Sequence, residues 1–287
     1  MKSVFQVVAL IGKITNPSIR EHVLALARFI SEQNIAVHLE EKTAEVFGIR
    51  DYPTLQMKAI GAHADLAIVL GGDGTMLTVA RGLVDHGTPL VGVNKGRFGF
   101  LTDITTDAML QSLSGILAGE YTQEQRILLG ASIVRDGKVV SDGCALNDVV
   151  VSKGAMARLI DLELVIDGEF VHQQRSDGLI ISTPTGTTAY ALSAGGPLLH
   201  PTLEAIALVP ICPHTLSNRP FAISSASRVE ITLTHADDAR VHFDGQLHAE
   251  LICGDKVVVQ RLEKTVTLLH PRGHSHYTML RDKLHWG

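Results

Sequence analysis

Leu66-Ala67-Ile68-Val69-Leu70-Gly71-Gly72-Asp73-Gly74-Thr75 is the stretch that decides the fold. Five consecutive apolar residues predict a strand covered on both faces, and the run breaks at once into glycine. Met76 to Asp85 then reads as a helix. Such a strand–turn–helix junction is where an α/β sheet places its ligand crevice. Glycine lets the backbone turn tightly and approach a ligand, and the first helical amides are available to an anion. The loop lacks the Gly-Lys-Thr/Ser of a Walker A motif and is not GxGxxG. Its odd member is Asp73. A carboxylate beside a phosphate cradle is repulsive unless it binds a cation or takes a proton. A hydroxyl attacking a phosphoryl group needs that second service. The plainer alternative is a tight turn with Asp73 as helix N-cap.

Outward from this junction, short apolar runs alternate with helical spacing. Strands are predicted at Val4 to Ile11, Ile35 to Leu39 and Pro89 to Val93, and helices at Ser18 to Ser31, Tyr52 to Ala62 and Thr106 to Ala118. The pattern predicts an α/β region with a mostly parallel sheet. After residue 125 it changes. Strand-like runs at Ile127 to Val134, Val139 to Val151, Leu159 to Ile166 and Glu169 to Gln174 are punctuated by Asp136-Gly137 and Asp167-Gly168, which are hairpin signals. Further runs cover Leu179 to Ser182, Ala205 to Val209, Val229 to Thr234, Val241 to Phe243, Val257 to Gln260 and Val266 to Leu269, with brief helix signal at Thr188 to Ala194 and Tyr277 to Leu284. This half is expected to be mainly β, a sandwich or barrel-like layer.

Composition excludes several classes. The 287 residues carry 25 Lys+Arg against 30 Asp+Glu, a net charge of -5. There is no basic excess to drive nucleic-acid binding. Cys144, Cys212 and Cys253 are far apart, against both a disulfide framework and a thiolate zinc site, and Cys144 and Cys212 read as small core residues. Apolar runs are strand-length, so no membrane span is expected, and the N-terminal run is short for a signal peptide. A cytoplasmic protein is the expectation. Among 14 histidines, His270, His274 and His276 cluster near the end. Without helical spacing or a nearby cysteine, a structural or surface role is expected over zinc.

A second glycine-punctuated segment runs from Arg175 through Ser176-Asp177-Gly178, Thr183-Pro184-Thr185-Gly186-Thr187-Thr188-Ala189-Tyr190-Ala191-Leu192-Ser193 to Pro197. Hydroxyls and bare backbone suit sugar and phosphate, and Tyr190 could stack on a base. Isolated threonines in such a segment are otherwise ordinary turn residues. Asn147-Asp148 can be turn-makers or can accept hydrogen bonds from ribose hydroxyls, as acidic residues do in dinucleotide folds. Asp244-Gly245-Gln246 reads as a hairpin turn.

Together these motifs are specific. The chain resembles bacterial NAD kinase over nearly its whole length. The resemblance rests on Gly71 to Thr75, Asn94-Lys95-Gly96-Arg97-Phe98-Gly99-Phe100-Leu101, Ala145-Leu146-Asn147-Asp148-Val149-Val150, Ser176 through Pro197, Cys212-Pro213-His214-Thr215-Leu216-Ser217-Asn218-Arg219-Pro220, Phe243-Asp244-Gly245-Gln246 and Lys283-Leu284-His285-Trp286. It implies a nucleotide-binding α/β domain over 1–125, a mainly-β NAD-binding domain over 126–270, and a tail, 271–287, packing back on the first. It implies ATP and NAD as substrates, a divalent cation such as Mg²⁺ with the ATP, and a homo-oligomer, dimer or tetramer. Asp73 would be the general base for the 2′-hydroxyl of the adenosine ribose. Gly71, Gly72, Gly74 and Thr75 would cradle phosphates. NAD would meet Asp73, Gly74, Asn147, Asp148, Arg158, Arg175, Asp177, Thr185, Thr188, Ala189, Tyr190, Ala191, Leu192, Ser193 and Gln246. No protein side chain is assigned to a metal. Asp148 stands where Glu is commoner in the family, Lys95 for Arg and Thr187 for Ser. A polar or charged residue at the Arg175 position goes with preference for NAD over NADH. Two rival readings remain: a lipid or sugar kinase sharing the Asp73 loop, and a non-catalytic nucleotide sensor.

Overall fold

The computed structural model describes residues 3–96, 99–155, 158–215 and 217–286. Arg97, Phe98 and Leu216 of the quoted motifs lie outside the described residues. The chain divides into two compact units, residues 1–125 with 264–287, and residues 126–263. Residues 264–270, expected with the β-rich half, thus group with the first unit.

The first unit contains strands β1 (Val7–Gly12), β2 (Ala36–Glu40), β3 (Thr54–Leu55), β4 (Leu66–Leu70), β5 (Leu90–Asn94) and β6 (Ile104–Thr105). Its helices are α1 (Arg20–Ser31), α2 (Glu41–Phe47), α3 (Met57–His63), α4 (Asp73–Leu83) and α5 (Met109–Leu117), with α7 (His276–Leu284) from the tail. The strands run β5-β4-β1-β2-β3, all pairs parallel, with β6 beside β5. The order reverses between β1 and β4, so the glycine turn after β4 opens at a topological switch point. Every residue of β4 is buried, as a strand covered on both faces requires. Helix α1 turns Val23, Leu26, Ala27 and Ile30 into the core, an i, i+3, i+4, i+7 stripe. Asn16 accepts from the Ser18 amide one turn ahead of it, with Pro17 opening the intervening 3₁₀ turn.

The elements of this unit differ from expectation most at two places. Tyr52 to Ala62 is not one helix: Thr54 and Leu55 pair with Leu39 and Glu40 as β3, and α3 begins at Met57. Pro53 favours extended backbone before it and cannot sit inside a helix. Helix α2 was not foreseen. It is capped by the Glu40 side chain, which accepts from the Thr43 amide at 2.7 Å, and ends at left-handed Gly48.

The second unit holds most of β7 (Tyr121–Arg135), β8 (Lys138–Ala145), β9 (Asp148–Lys153), β10 (Ile160–Ile166), β11 (Glu169–Ser176), β12 (Gly178–Ser182), β13 (Ala205–Ile211), β14 (Phe221–Ser224), β15 (Val229–His235), β16 (Ala239–Phe243), β17 (Leu247–Leu251) and the first half of β18 (Lys256–Pro271), with the short helix α6 (Tyr190–Ser193). One antiparallel sheet runs β14-β13-β12-β9-β16-β17. The other places β11-β10-β15-β18 side by side, with the β7–β8 hairpin on β18. Alternate residues of both, such as Leu162, Leu164, Val149, Val151, Val241 and Phe243, meet in one apolar core. The unit is a sandwich. Its hairpins turn on Asp136-Gly137, Asp167-Gly168 and Asp244-Gly245, where both residues have positive φ, the type I′ geometry that matches strand twist. The predicted strand Val139 to Val151 is two strands, broken at Leu146 and Asn147. The predicted strands at Val257 and Val266 are one, β18.

Leu26 is fully buried and Ala25 is exposed on the same helix. Leu26→Ala should lower stability by about 2–5 kcal/mol and Ala25→Ser by no more than about 0.5 kcal/mol, read as urea unfolding midpoints by circular dichroism. Equal effects would mean that α1 is not packed as described.

Candidate functional site

In the first unit, the Gly71 amide donates to Val93 O at 2.8 Å, tying the turn to β5. Gly72 is extended and occupies the N-cap position of α4, which starts at Asp73, three residues earlier than predicted. The Thr75 and Met76 amides close the first helical turn on Gly72 O at 2.9 and 3.2 Å. The Thr75 and Met76 amides are therefore spent inside the helix.

Asp73 does not cap the helix. Its Oδ2 accepts from the Phe100 amide at 2.8 Å, and its Oδ1 from the Leu101 amide at 3.1 Å and the Thr102 hydroxyl at 3.2 Å. Three donors use three of roughly four lone-pair positions on a carboxylate, so the group is oriented and still able to accept. Gly99 lies against it: a Cβ there would overlap the Asp73 carboxylate. Glycine is needed at 99 for this approach.

In the second unit, a cavity of about 390 Å³ is lined by Asn147, Asp148, Val150, Ser152, Ala189, Tyr190, His242, Asp244 and Gly245. Asn147, Asp148, Ala189 and Tyr190 were read from the sequence as ligand residues; the other five were not. Asp244 is the organiser. Its Oδ1 accepts from the Asn147 amide at 2.7 Å and the Asp148 amide at 3.2 Å, and its Oδ2 from the Leu146 amide at 3.1 Å. Those amides leave the sheet ladder to meet it, which is why the predicted long strand breaks here. From the opposite side the Thr183 hydroxyl donates to Leu146 O at 2.6 Å, and the Thr183 amide to Asn147 O at 2.9 Å. Gly186 sits so close to Asn147 O that no side chain fits.

The hydroxyl-rich segment is largely self-bonded. Thr185 is buried and accepts from the Arg126 guanidinium at 3.3 Å, the Thr187 hydroxyl donates to Pro184 O at 2.6 Å, and the Thr188 hydroxyl to Thr185 O at 3.1 Å. Ala191 is fully buried with Val150, Ile180 and Val209. Tyr190 is half exposed at the cavity, and burial holds its phenol above the ordinary value, so it remains a donor. Asp177 pairs with Lys153 at 2.9 Å, and Arg175, mostly exposed, lies 3.7 Å from Asp161. Arg158 and Gln246 are exposed, and Leu192 and Ser193 lie on α6 outside the cavity lining. Arg126 and Asp244 escaped sequence reading as site-forming residues; the Asp-Gly hairpin signal that marked Asp244 as a turn hid its second role.

Asp148 is 4% exposed, and burial followed by the negative charge of Asp244 pushes its carboxyl up to about 7. The folded chain then holds a proton there that the unfolded chain, near 3.8, has released. Stability from this group falls as pH rises from about 4 to about 7 and stays reduced above. Asp148→Asn lacks the titration. The thermal midpoint of the variant minus that of the parent should grow between pH 4 and 7 and then level off. A difference independent of pH would show that Asp148 is not buried in this way.

Family models match both halves of the chain. Residues 8–121 match the ATP-NAD kinase N-terminal domain and residues 146–270 the ATP-NAD kinase C-terminal domain. The NAD kinase of Thiobacillus denitrificans is 57% identical over 287 residues, covering 100% of this chain and 99% of the relative. That of Aromatoleum aromaticum is 52% identical, covering 100% and 96%. Among solved structures, yeast NADH kinase complexed with NADH superposes with a TM-score of 0.88 at 26% identity, over 97% of this chain and 87% of that one. An NAD kinase from Archaeoglobus fulgidus in complex with ATP gives 0.77 at 26%, over 97% and 98%. Similar from end to end to curated NAD kinases, and matched in both halves by that family's domain models, the chain belongs to the NAD kinase family of enzymes.

Proposed function

We propose that the chain transfers the γ-phosphoryl group of ATP, carried with Mg²⁺, to the 2′-hydroxyl of the adenosine ribose of NAD, giving NADP and ADP. The observation that carries this reading is the Asp73 carboxylate, held by three donors rather than spent on the helix cap. In the transfer, the O–H bond of the 2′-hydroxyl breaks and its proton goes to Asp73. The 2′ oxygen forms a bond to Pγ as the bond from Pγ to the β–γ bridging oxygen breaks, and ADP leaves with that electron pair. Gly72 and Gly74 would offer amides and Thr75 a hydroxyl to phosphate oxygens, while Gly71, whose amide is held by Val93 O, would shape the turn that presents them.

The donor set at the turn is matched to anions, and its single carboxylate is already hydrogen-bonded. Mg²⁺, carried as the counter-ion of ATP, would supply neutralisation of phosphate charge. Asn147 and Asp148 would hold a ribose, Tyr190 would lie against a ring, and Asp177, Thr185, Thr188, Ala189, Ala191, Leu192, Ser193 and Gln246 would complete the NAD enclosure through side chain or backbone. Arg158 and Arg175, both exposed, would meet the anionic or carboxamide end. The NADH bound to the yeast neighbour and the ATP bound to the archaeal one support these two ligand classes. Arg175 favours NAD over NADH as acceptor. By the same resemblance, the first unit is the nucleotide-binding domain, the second the NAD-binding domain, and the enzyme works as a dimer or tetramer in the cytoplasm. Among the described residues, no helix is long and apolar enough to cross a membrane.

Asp73→Asn keeps the size of the side chain and removes the base. It should lower kcat by about 10²–10⁴-fold with KM for NAD little changed, measured by coupling NADP to an NADP-specific dehydrogenase. Near-normal turnover by the variant would remove Asp73 from the base role.

A further inference from the structure

Four titratable side chains gather in the first unit apart from the glycine turn. Asp103 precedes β6, Glu124 lies in β7, His270 at the end of β18, and His274 in the loop before α7. The two imidazole rings stack, with centroids 3.9 Å apart and planes 17° apart. One oxygen serves both: Asp103 Oδ2 is 2.9 Å from His270 Nδ1 and 2.8 Å from His274 Nδ1. Since a carboxylate only accepts, each ring carries its proton on Nδ1.

The consequence falls on the other two nitrogens. Both Nε2 atoms face the Glu124 carboxylate, His270 Nε2 lying 3.7 Å from Oε2 and His274 Nε2 3.7 Å from Oε1. That is beyond hydrogen-bond distance. Neither Nε2 has a hydrogen-bond partner among the described residues, although the side chains are only 2% and 7% exposed. Two buried Nε2 atoms without a hydrogen-bond partner thus face one carboxylate, an arrangement that is costly if left unsatisfied. An ion about 2.0–2.2 Å from each ligand atom brings such atoms within about 4 Å of one another. A histidine that ligates through one nitrogen characteristically donates its other N–H to a carboxylate, which is what Asp103 provides twice.

We propose that His270 Nε2, His274 Nε2 and the Glu124 carboxylate form a binding site for a zinc-like transition-metal ion, with Asp103 as the carboxylate that orients both imidazoles. The donor set favours such an ion over Mg²⁺, which prefers oxygen. Three protein ligands leave a fourth position for water. A cavity of about 250 Å³ that includes Asp103 and His274 in its lining gives access. The bound ion would clip four stretches of the first unit together: the segment after Thr102, the start of β7, the end of β18 and the approach to α7. Thr102, whose hydroxyl holds Asp73, is next in sequence to Asp103. The sequence alone favoured a structural or surface role for these histidines; the two Nε2 atoms without a partner are what favour ligation instead.

The test uses the full-length chain without a histidine tag, stripped with a chelator and titrated with Zn²⁺ against a chromophoric competitor. One equivalent should be retained per chain, and Co²⁺ should give the visible absorption of a four-coordinate site. His274→Asn and Glu124→Gln should each lose that equivalent and that spectrum, and Asp103→Asn should weaken binding by about 10–100-fold. Circular dichroism establishes that each variant is folded; should His274→Asn not fold, Glu124→Gln with the parent decides. A folded parent that retains no Zn²⁺ overturns the proposal, and so does an equivalent that survives both substitutions. In the first case the cluster is held by protons alone; in the second the metal sits on other histidines.

Discussion

The grip of residues 100–102 on the Asp73 carboxylate is the interaction on which the rest of the first unit depends. Two main-chain amides and one hydroxyl converge on the first residue of α4. For that to happen, the chain at residue 99 must pass where a Cβ cannot go, and the turn after β4 must release α4 at Asp73. β4 and β5 must also lie side by side and in parallel, which their register from Ala67 with Leu90 to Leu70 with Val93 provides. Gly99 is therefore a backbone requirement of that carboxylate. A nucleotide sensor on the same fold would have no use for a carboxylate held in one orientation, which is why this feature supports the proposed catalytic role.

The second unit solves a different problem, holding two carboxylates in one cavity. Asp244 is surrounded by the amides of residues 146–148, and Asp148 is buried beside it. Burial, and after it the negative charge of Asp244, pushes the Asp148 carboxyl up to about 7. Divergent environments for neighbouring acids are a recurrent way to give like groups unlike roles. With a chain that carries net charge -5, anionic substrates must be held by local donors rather than by a basic surface.

Much of this was legible in the sequence because its signals are local. The apolar run of residues 66–70 with the glycines after it, the spacing of Val23, Leu26, Ala27 and Ile30, and the Asp-Gly hairpins each carry their own reading. What was not legible depends on partners distant in the chain. Helix α2 is short and rests on the Glu40 cap and on Thr43, Ala44 and Phe47 reaching the core. The break at Leu146 is imposed by Asp244, nearly a hundred residues later. Arg126 looks like an ordinary charged residue until Thr185 is seen against it. Asp103 and Glu124 carry no local motif, so the histidines at 270 and 274 could not be seen as more than a cluster in a loop.

The most direct test of the account is a crystal structure of the chain with NAD and a non-hydrolysable ATP analogue, read for one distance. If Asp73 is the base, one of its carboxylate oxygens should lie about 2.6–3.2 Å from the 2′ oxygen of the adenosine ribose, directly or through a single water. A ternary complex in which that carboxylate stays on residues 100–102 and the 2′ oxygen has another acceptor as its nearest neighbour would contradict it.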